Sequence, residues 1–273
     1  MRVKRAGFSA PALSFSRPLT LLFWFCGGLL IVFVVLPLLS LGLTPSEASF
    51  LRAVSSPDLR GALFLSVEGA GLAGLLSALF GVPLAYVLAR SRFWGKSALA
   101  AVIDLPLAVP HTVAGIALLM VFGRDGFLGA PAERFLGLRF WGTLAGIVAA
   151  MLFVSLPYTV SAARIGFEAV DPRLEQVARS LGLGPWRTFA RVSLPLAWRS
   201  ILTGMTLSFA RAISEFGAVM ILAYYPMTAP VRIYTLFVRF GLKEAAAASV
   251  VLLLACLGLF VLLRALASGR RSL

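Results

Sequence analysis

The sequence predicts an all-α integral membrane protein, and three observations carry that prediction. Hydrophobic residues make up 60% of the chain and charged residues 13%, against roughly 45–50% and about 25% in soluble domains. Six stretches, residues 18–46, 61–89, 97–123, 140–163, 200–231 and 245–263, can each supply the roughly 20 residues that a helix needs to cross a bilayer. The one long polar interruption, residues 168–195, carries helix signals of its own.

The basic residues report orientation. With the N-terminus inside, sixteen Lys and Arg fall on the cytoplasmic side, eight on the opposite side, and Arg211 lies within a span. This bias places both termini and the 168–195 loop in the cytoplasm. It also explains most of the net charge of +14, so no nucleic-acid partner is expected and the surrounding partner is membrane lipid. Cys26 and Cys256 sit in apolar segments, and no disulfide is expected. The single histidine, His111, excludes a metal site built from several histidines. Neither an H-E-x-x-H nor a G-x-S-x-G pattern occurs, so no residue is assigned to catalysis or to metal.

Residues 1–17 read as a basic cytoplasmic arm, 18–266 as the transmembrane domain and 267–273 as a cytoplasmic tail. The first apolar run is about twice the length of a signal-peptide core, so it reads as a retained helix. The second span is rich in small residues, Gly69, Gly71, Gly74, Ser77, Ala78 and Gly81, which let helices approach closely in lipid. Its Glu68 reads as a partner for another helix or as a functional carboxylate.

The third span carries Pro106 and Pro110 four residues apart, followed by His111 and Thr112. Each proline removes a backbone donor, and irregular backbone at membrane depth survives only inside protein or beside a wet cavity. This segment is therefore expected to face an interior path or a subunit interface. His111 reads as a proton relay or as a hydrogen-bonded structural or pathway residue. The fifth span carries Arg211 and Glu215 at i, i+4. Each charge alone would cost roughly 2.5–3.5 kcal/mol at mid-bilayer, so they are expected to pair or to face a wet interior. Thr203, Thr206, Ser208 and Ser214 offer neutral hydroxyls nearby. Pro110, His111, Thr112, Thr206, Ser208, Arg211, Ser214 and Glu215 thus form the candidate path and gate. Residues 224–230 make a rigid external turn, followed by the aromatic stretch Tyr234, Phe237 and Phe240 at a membrane interface or a partner contact.

Within residues 168–195, Asp171 and Pro172 start a helix, and Glu175 favours its positive end. Leu174, Val177, Ala178 and Leu181 form an apolar stripe, and Gly182 ends the helix. A second short helix begins at Gly184 and Pro185 and is expected to close at Leu194 and Pro195. The two would make a compact docking knob.

Gln176-Val177-Ala178, Gly182 and Val192-Ser193-Leu194-Pro195 resemble the EAA loop of ABC importer permeases, matching its spacing throughout. The departures are Gln176 in place of Glu and Val177 in place of Ala, with Glu175 one position earlier. The resemblance implies a type I importer fold of six transmembrane helices with cytoplasmic coupling helices. It also implies that the loop, residues 164–199, seats on an ATPase subunit through Glu175, Gln176, Val177, Ala178, Gly182, Val192, Leu194 and Pro195. Residues 104–115, 209–218 and 224–234 are similar to molybdate/tungstate permeases, with the Glu215-Phe216-Gly217-Ala218 core shared with sulfate/thiosulfate permeases. The similarity runs from about Leu59 to the C-terminus. It implies a second copy of the chain, two ATP-binding cassette subunits that bind ATP and Mg, and an extracytoplasmic oxyanion-binding protein. No cofactor is expected in this chain. The alternatives are a sulfate/thiosulfate permease and an ion-coupled secondary carrier.

Overall fold

The computed structural model describes residues 17–268. The predicted arm, 1–17, lies outside them apart from Arg17, and the predicted tail, 267–273, apart from its first two residues. Helix α1 (Arg17–Leu43) carries no charge after Arg17, and none of its membrane-length window is buried within the subunit. Two serines then start the next helices. Ser46 and Ser56 accept hydrogen bonds from the N–H groups of Ser49 and Leu59, opening α2 (Glu47–Ser55) and α3 (Pro57–Arg90). Next come α4 (Lys96–Asp104), a 3₁₀ turn (Leu105–Leu107), α5 (His111–Phe122), α6 (Gly129–Leu136) and α7 (Leu144–Glu168).

The polar loop forms α8 (Pro172–Ser180) and α9 (Pro185–Thr188). The second helix does not close at Leu194 and Pro195 as expected. It passes through a π-helical turn (Phe189–Ser193) directly into α10 (Leu194–Ile213), where the Leu194 N–H bonds to the Phe189 carbonyl. Pro195 has no N–H to give, and the wider turn carries the helix past it. Finally come α11 (Gly217–Leu222), α12 (Ala229–Phe240) and α13 (Leu242–Ser268).

Helices α3, α7 and α10 form the core. At one level Val82, Ala85, Leu88, Val160, Ala163, Phe167, Ala197 and Ile201 pack together. At the other, Ala70 and Ala73 meet Ile147, Met151, Ala212 and the inner faces of α5 and α11. Between these levels along the helices lie Ser77, Ser155, Thr159 and Ser208, buried and without a hydrogen-bond partner among the described residues. Small side chains permit the close packing on which helix association in lipid depends. Ser66 of α3 holds the start of α12 by accepting the Ala229 N–H at 2.8 Å.

The ion pairs sort the connecting segments to two ends of the bundle. Arg52 pairs with Glu244 at 3.0 Å and Asp58 with Arg232 at 2.7 Å at one end of the bundle, while Arg90 meets the 168–195 loop at the other.

Helix length and composition do not confirm the expected six membrane crossings. Among the described residues four helices, α1, α3, α7 and α13, are long and apolar enough to cross, and a bent pair raises the number to five at most. The third predicted span is that pair, Lys96–Leu107 and His111–Phe122, bent by 110°. Pro110 directly precedes α5 and restricts the residue before it, so the helix cannot run through. The fifth predicted span is also no single helix: it divides into α10, a break at residues 214–216, and α11.

Core tightness is testable at Gly204 of α10, where a Cβ would lie 2.8 Å from the Cβ of Ala162 and 3.1 Å from the Thr159 backbone. Gly204→Val is expected to lower stability by about 1–3 kcal/mol, read as a fall in the thermal midpoint of the detergent-solubilised subunit. Gly71→Ala, with nothing within 4 Å of the new atom, should leave the midpoint in place.

Candidate functional sites: an intramembrane charge cluster and a docking knob

The two broken helices cross at their breaks. A Cβ on Gly217 would sit 2.8 Å from the Cβ of His111, and one on Gly115 would sit 3.0 Å from the Ala218 Cα. Only glycine at both places lets α5 and α11 approach this closely. The crossing brings together three residues that the sequence reading had singled out.

Glu215 is 1% exposed, yet both of its carboxylate oxygens are satisfied. Oε1 accepts the Ala218 N–H at 2.8 Å, capping α11, and Oε2 accepts from Arg211 Nη2 at 2.8 Å. The predicted i, i+4 pair is therefore formed across the helix break. Arg211 Nη2 also lies 3.0 Å from Nδ1 and 2.8 Å from Nε2 of His111, whose side chain is half exposed. Only an unprotonated ring nitrogen can accept an arginine N–H. All hydrogen bonds of the Arg211 side chain among the described residues run through Nη2, leaving Nε and Nη1 without a partner. The residues rise from carboxylate at the closed end to guanidinium and imidazole at the open end.

The other predicted path residues are dispersed. Pro110 and Thr112 flank His111 and are exposed. Thr206 turns its hydroxyl onto the Leu202 carbonyl, and Ser208 is buried in the helix core. Ser214 bonds to the Arg211 carbonyl and lines a different space, an apolar hollow of about 490 Å³ with Phe216, Tyr234 and Ala245. Helical periodicity turns these hydroxyls away from the charge cluster.

The knob follows the predicted signals at both ends of α8. The Asp171 carboxylate accepts the Arg173 N–H at 2.9 Å. At the C-terminus Gly182 adopts φ +86, the Leu183 N–H bonds to the Ala178 carbonyl and the Gly182 N–H to that of Arg179. This is a Schellman ending, which places glycine in the left-handed region. The predicted apolar stripe is split: Ala178 faces the protein, while Leu174, Val177 and Leu181 are exposed together with Trp186. Gln176 is exposed too, Val192 and Leu194 are half-buried, and Pro195 is exposed.

Glu175 turns inward. Its Oε1 accepts from Arg90 Nε at 2.9 Å and from the Ser193 hydroxyl at 2.7 Å, and the Tyr86 hydroxyl stands 3.5 Å from Oε2. Arg90 also donates to the Val170 carbonyl at 2.8 Å. The carboxylate thus fastens α8 to the end of α3 and to the π turn that opens α10. The Tyr86 ring packs edge to face with Phe167 and with Phe189 beside it. The sequence reading did not pair Tyr86, Arg90 and Ser193 with Glu175. Its one available signal was that Arg90 is the first charge after a long apolar span.

A multi-pass helical body with a charged cluster at the crossing of two broken helices, and a knob mounted on its core, defines a membrane transport permease. Residues 81–272 match the family of binding-protein-dependent transport system inner membrane components, and the chain belongs to that family. It is 42% identical to the molybdate/tungstate transport system permease protein WtpB of Thermococcus kodakarensis, over 92% of this chain and 96% of that protein. It is 40% identical to a probable molybdenum ABC transporter permease protein of Haloferax volcanii, over 93% and 91% of the two chains. A probable sulfate transport system permease protein of Chlorella vulgaris is 35% identical, over 79% and 82%. The fold matches a crystal structure of a bacterial ABC transporter involved in the import of the acidic polysaccharide alginate, with a TM-score of 0.72 at 13% identity over 91% of this chain and 96% of that one. The chain is thus a transport subunit and not an enzyme.

Glu175→Gln removes the charge that Arg90 is paired with and is expected to cost about 3 kcal/mol, while Ser193→Ala costs about 1 kcal/mol. Thermal midpoints of the purified subunit check both values. Hydrogen exchange should localise the loss to α8 and the start of α10.

Proposed function

We propose that this chain is the permease subunit of an ATP-driven importer that moves molybdate and tungstate across the cytoplasmic membrane. The observation that carries the reading is the 42% identity to a molybdate/tungstate permease over nearly the whole of both chains. The charge cluster is compatible with such cargo, because it places arginine and histidine toward the open side and keeps its carboxylate sealed. A sulfate importer is the second reading, supported by the 35% identity to a sulfate permease.

Two copies of the chain enclose the path, each with both termini in the cytoplasm and each presenting the His111 side of its cluster to the other. Lipid contact with that cluster would be costly, and a facing copy removes the cost. The 168–195 loop docks on a separate ATPase subunit that binds ATP and Mg, one for each copy. Leu174, Val177, Leu181 and Trp186 make the apolar contact, with Gln176 beside them and Arg173, Arg179 and Arg187 around them, while Glu175 and Ala178 mount the knob from behind. Because Glu175 ties α8 to α3 and to the head of α10, a push on the knob moves core helices directly. An extracytoplasmic binding protein delivers the oxyanion.

Reconstitution in liposomes with the ATPase subunits and the loaded binding protein tests the reading. ATP-dependent uptake of tungstate and molybdate, with sulfate inert, is expected. Uptake of sulfate alone overturns the cargo, and uptake without ATP overturns the mechanism. Gly182→Val forces a β-branched residue into the left-handed region at a cost of about 1–2 kcal/mol. The expected result is loss of ATPase association in co-purification; association and uptake at the wild-type level would contradict the docking role.

A further inference from the structure

We propose that Arg211 and His111 form a transient oxyanion site on the transport path, and that the buried Glu215 sets its charge so that the anion is released. The proposal rests on the importer reading above. Three features of the cluster carry it.

The first is order. Glu215 is sealed at 1% exposure with both oxygens engaged, Arg211 is partly exposed, and His111 is half exposed. An anion approaching from the open side meets the imidazole and the guanidinium before the carboxylate. The second is spare capacity. Arg211 spends only Nη2 on its two neighbours, so the Nε and Nη1 N–H groups, on separate edges of the guanidinium, remain to donate charge-assisted hydrogen bonds to an oxyanion. The third is rigidity. The Ala218 N–H holds Glu215 Oε1, and α11 is locked against α5 at Gly217, so the carboxylate cannot swing away when cargo arrives.

The chemical consequence follows from charge. A lone guanidinium in a site of low dielectric would hold a dianion too strongly for passage. The Glu215 carboxylate, 2.8 Å from Arg211 Nη2, cancels most of that charge and leaves the donor geometry. The site then recognises an oxyanion by hydrogen bonding without trapping it. Glu215 is a positioning residue, acting on cargo through Arg211.

Removing the negative charge is therefore expected to tighten binding and slow transport, the opposite of damage to a site. The experiment uses the full permease–ATPase complex. Tungstate binding is measured by equilibrium dialysis without the binding protein, and tungstate uptake is measured in liposomes with it. Glu215→Gln is expected to bind tungstate about tenfold more tightly than the wild type and to take it up several-fold more slowly. Arg211→Gln is expected to lose tungstate binding in dialysis. Glu215 is buried, so its variant can fail to assemble, which co-elution with the ATPase subunits reveals. His111→Arg adds the same unit of charge at the exposed end, and tighter binding with slower uptake is expected there too. If every variant that assembles binds tungstate as the wild type does, or if added positive charge weakens binding, the proposal is overturned. A wild-type complex that takes up no molybdate or tungstate sinks the importer reading, and this inference with it. Normal wild-type uptake with unaltered binding in the variants sinks this inference alone.

Discussion

Backbone that leaves the helix inside a bilayer must find its hydrogen-bond partners in protein, and two of the predicted spans are interrupted, at residues 108–110 and 214–216. The solution is to cross the two breaks. The Glu215 carboxylate caps the start of α11, the Arg211 side chain neutralises that carboxylate, and Gly115 and Gly217 let the two half-helices touch. The charged cluster is thus the device that makes irregular backbone tolerable. Among the described residues it is also the only group of opposite charges placed between the two ends of the core. Discontinuous helices are where transporters build polar sites for the same physical reason.

The second organising contact lies at the far end of the same helices. Arg90 closes α3, and its guanidinium bridges the Val170 carbonyl and the Glu175 carboxylate, while Ser193 reaches that carboxylate from the π turn. One buried acid therefore joins α3, α8 and the head of α10. Since α10 carries Arg211 near its other end, displacement of the knob reaches the charge cluster along a single continuous helix from Leu194 to Ile213. No flexible linker intervenes. A surface ion pair would have little mechanical value, because solvent screens it, but Glu175 is 5% exposed.

What the sequence made legible was local. Asp171 with Pro172, and Gly182, marked the ends of α8 because capping is decided within a few residues. Pro106 and Pro110 marked the break before α5, and the spacing of Arg211 and Glu215 marked their pairing. Contacts made across the chain were not legible: Arg90 lies 85 residues from Glu175, and His111 lies 100 from Arg211. Hydropathy counted six spans because it registers apolar residues and not helix breaks; it therefore read two interrupted segments as continuous. The apolar stripe on α8 was seen, but its direction was not. Glu175 and its partners decide which face turns inward, and those partners come from two other parts of the chain, the end of α3 and the π turn.

The most direct measurement is a cryo-electron microscopy structure of the permease–ATPase complex, with its binding protein and tungstate, trapped by a hydrolysis-deficient ATPase. Tungsten scatters strongly enough to be located without ambiguity. Density within hydrogen-bonding distance of Arg211 and His111, at the interface of two copies with Glu215 still buried behind them, is the expected result. A complex in which the path runs elsewhere and this cluster is packed against lipid or sealed inside one subunit would contradict it.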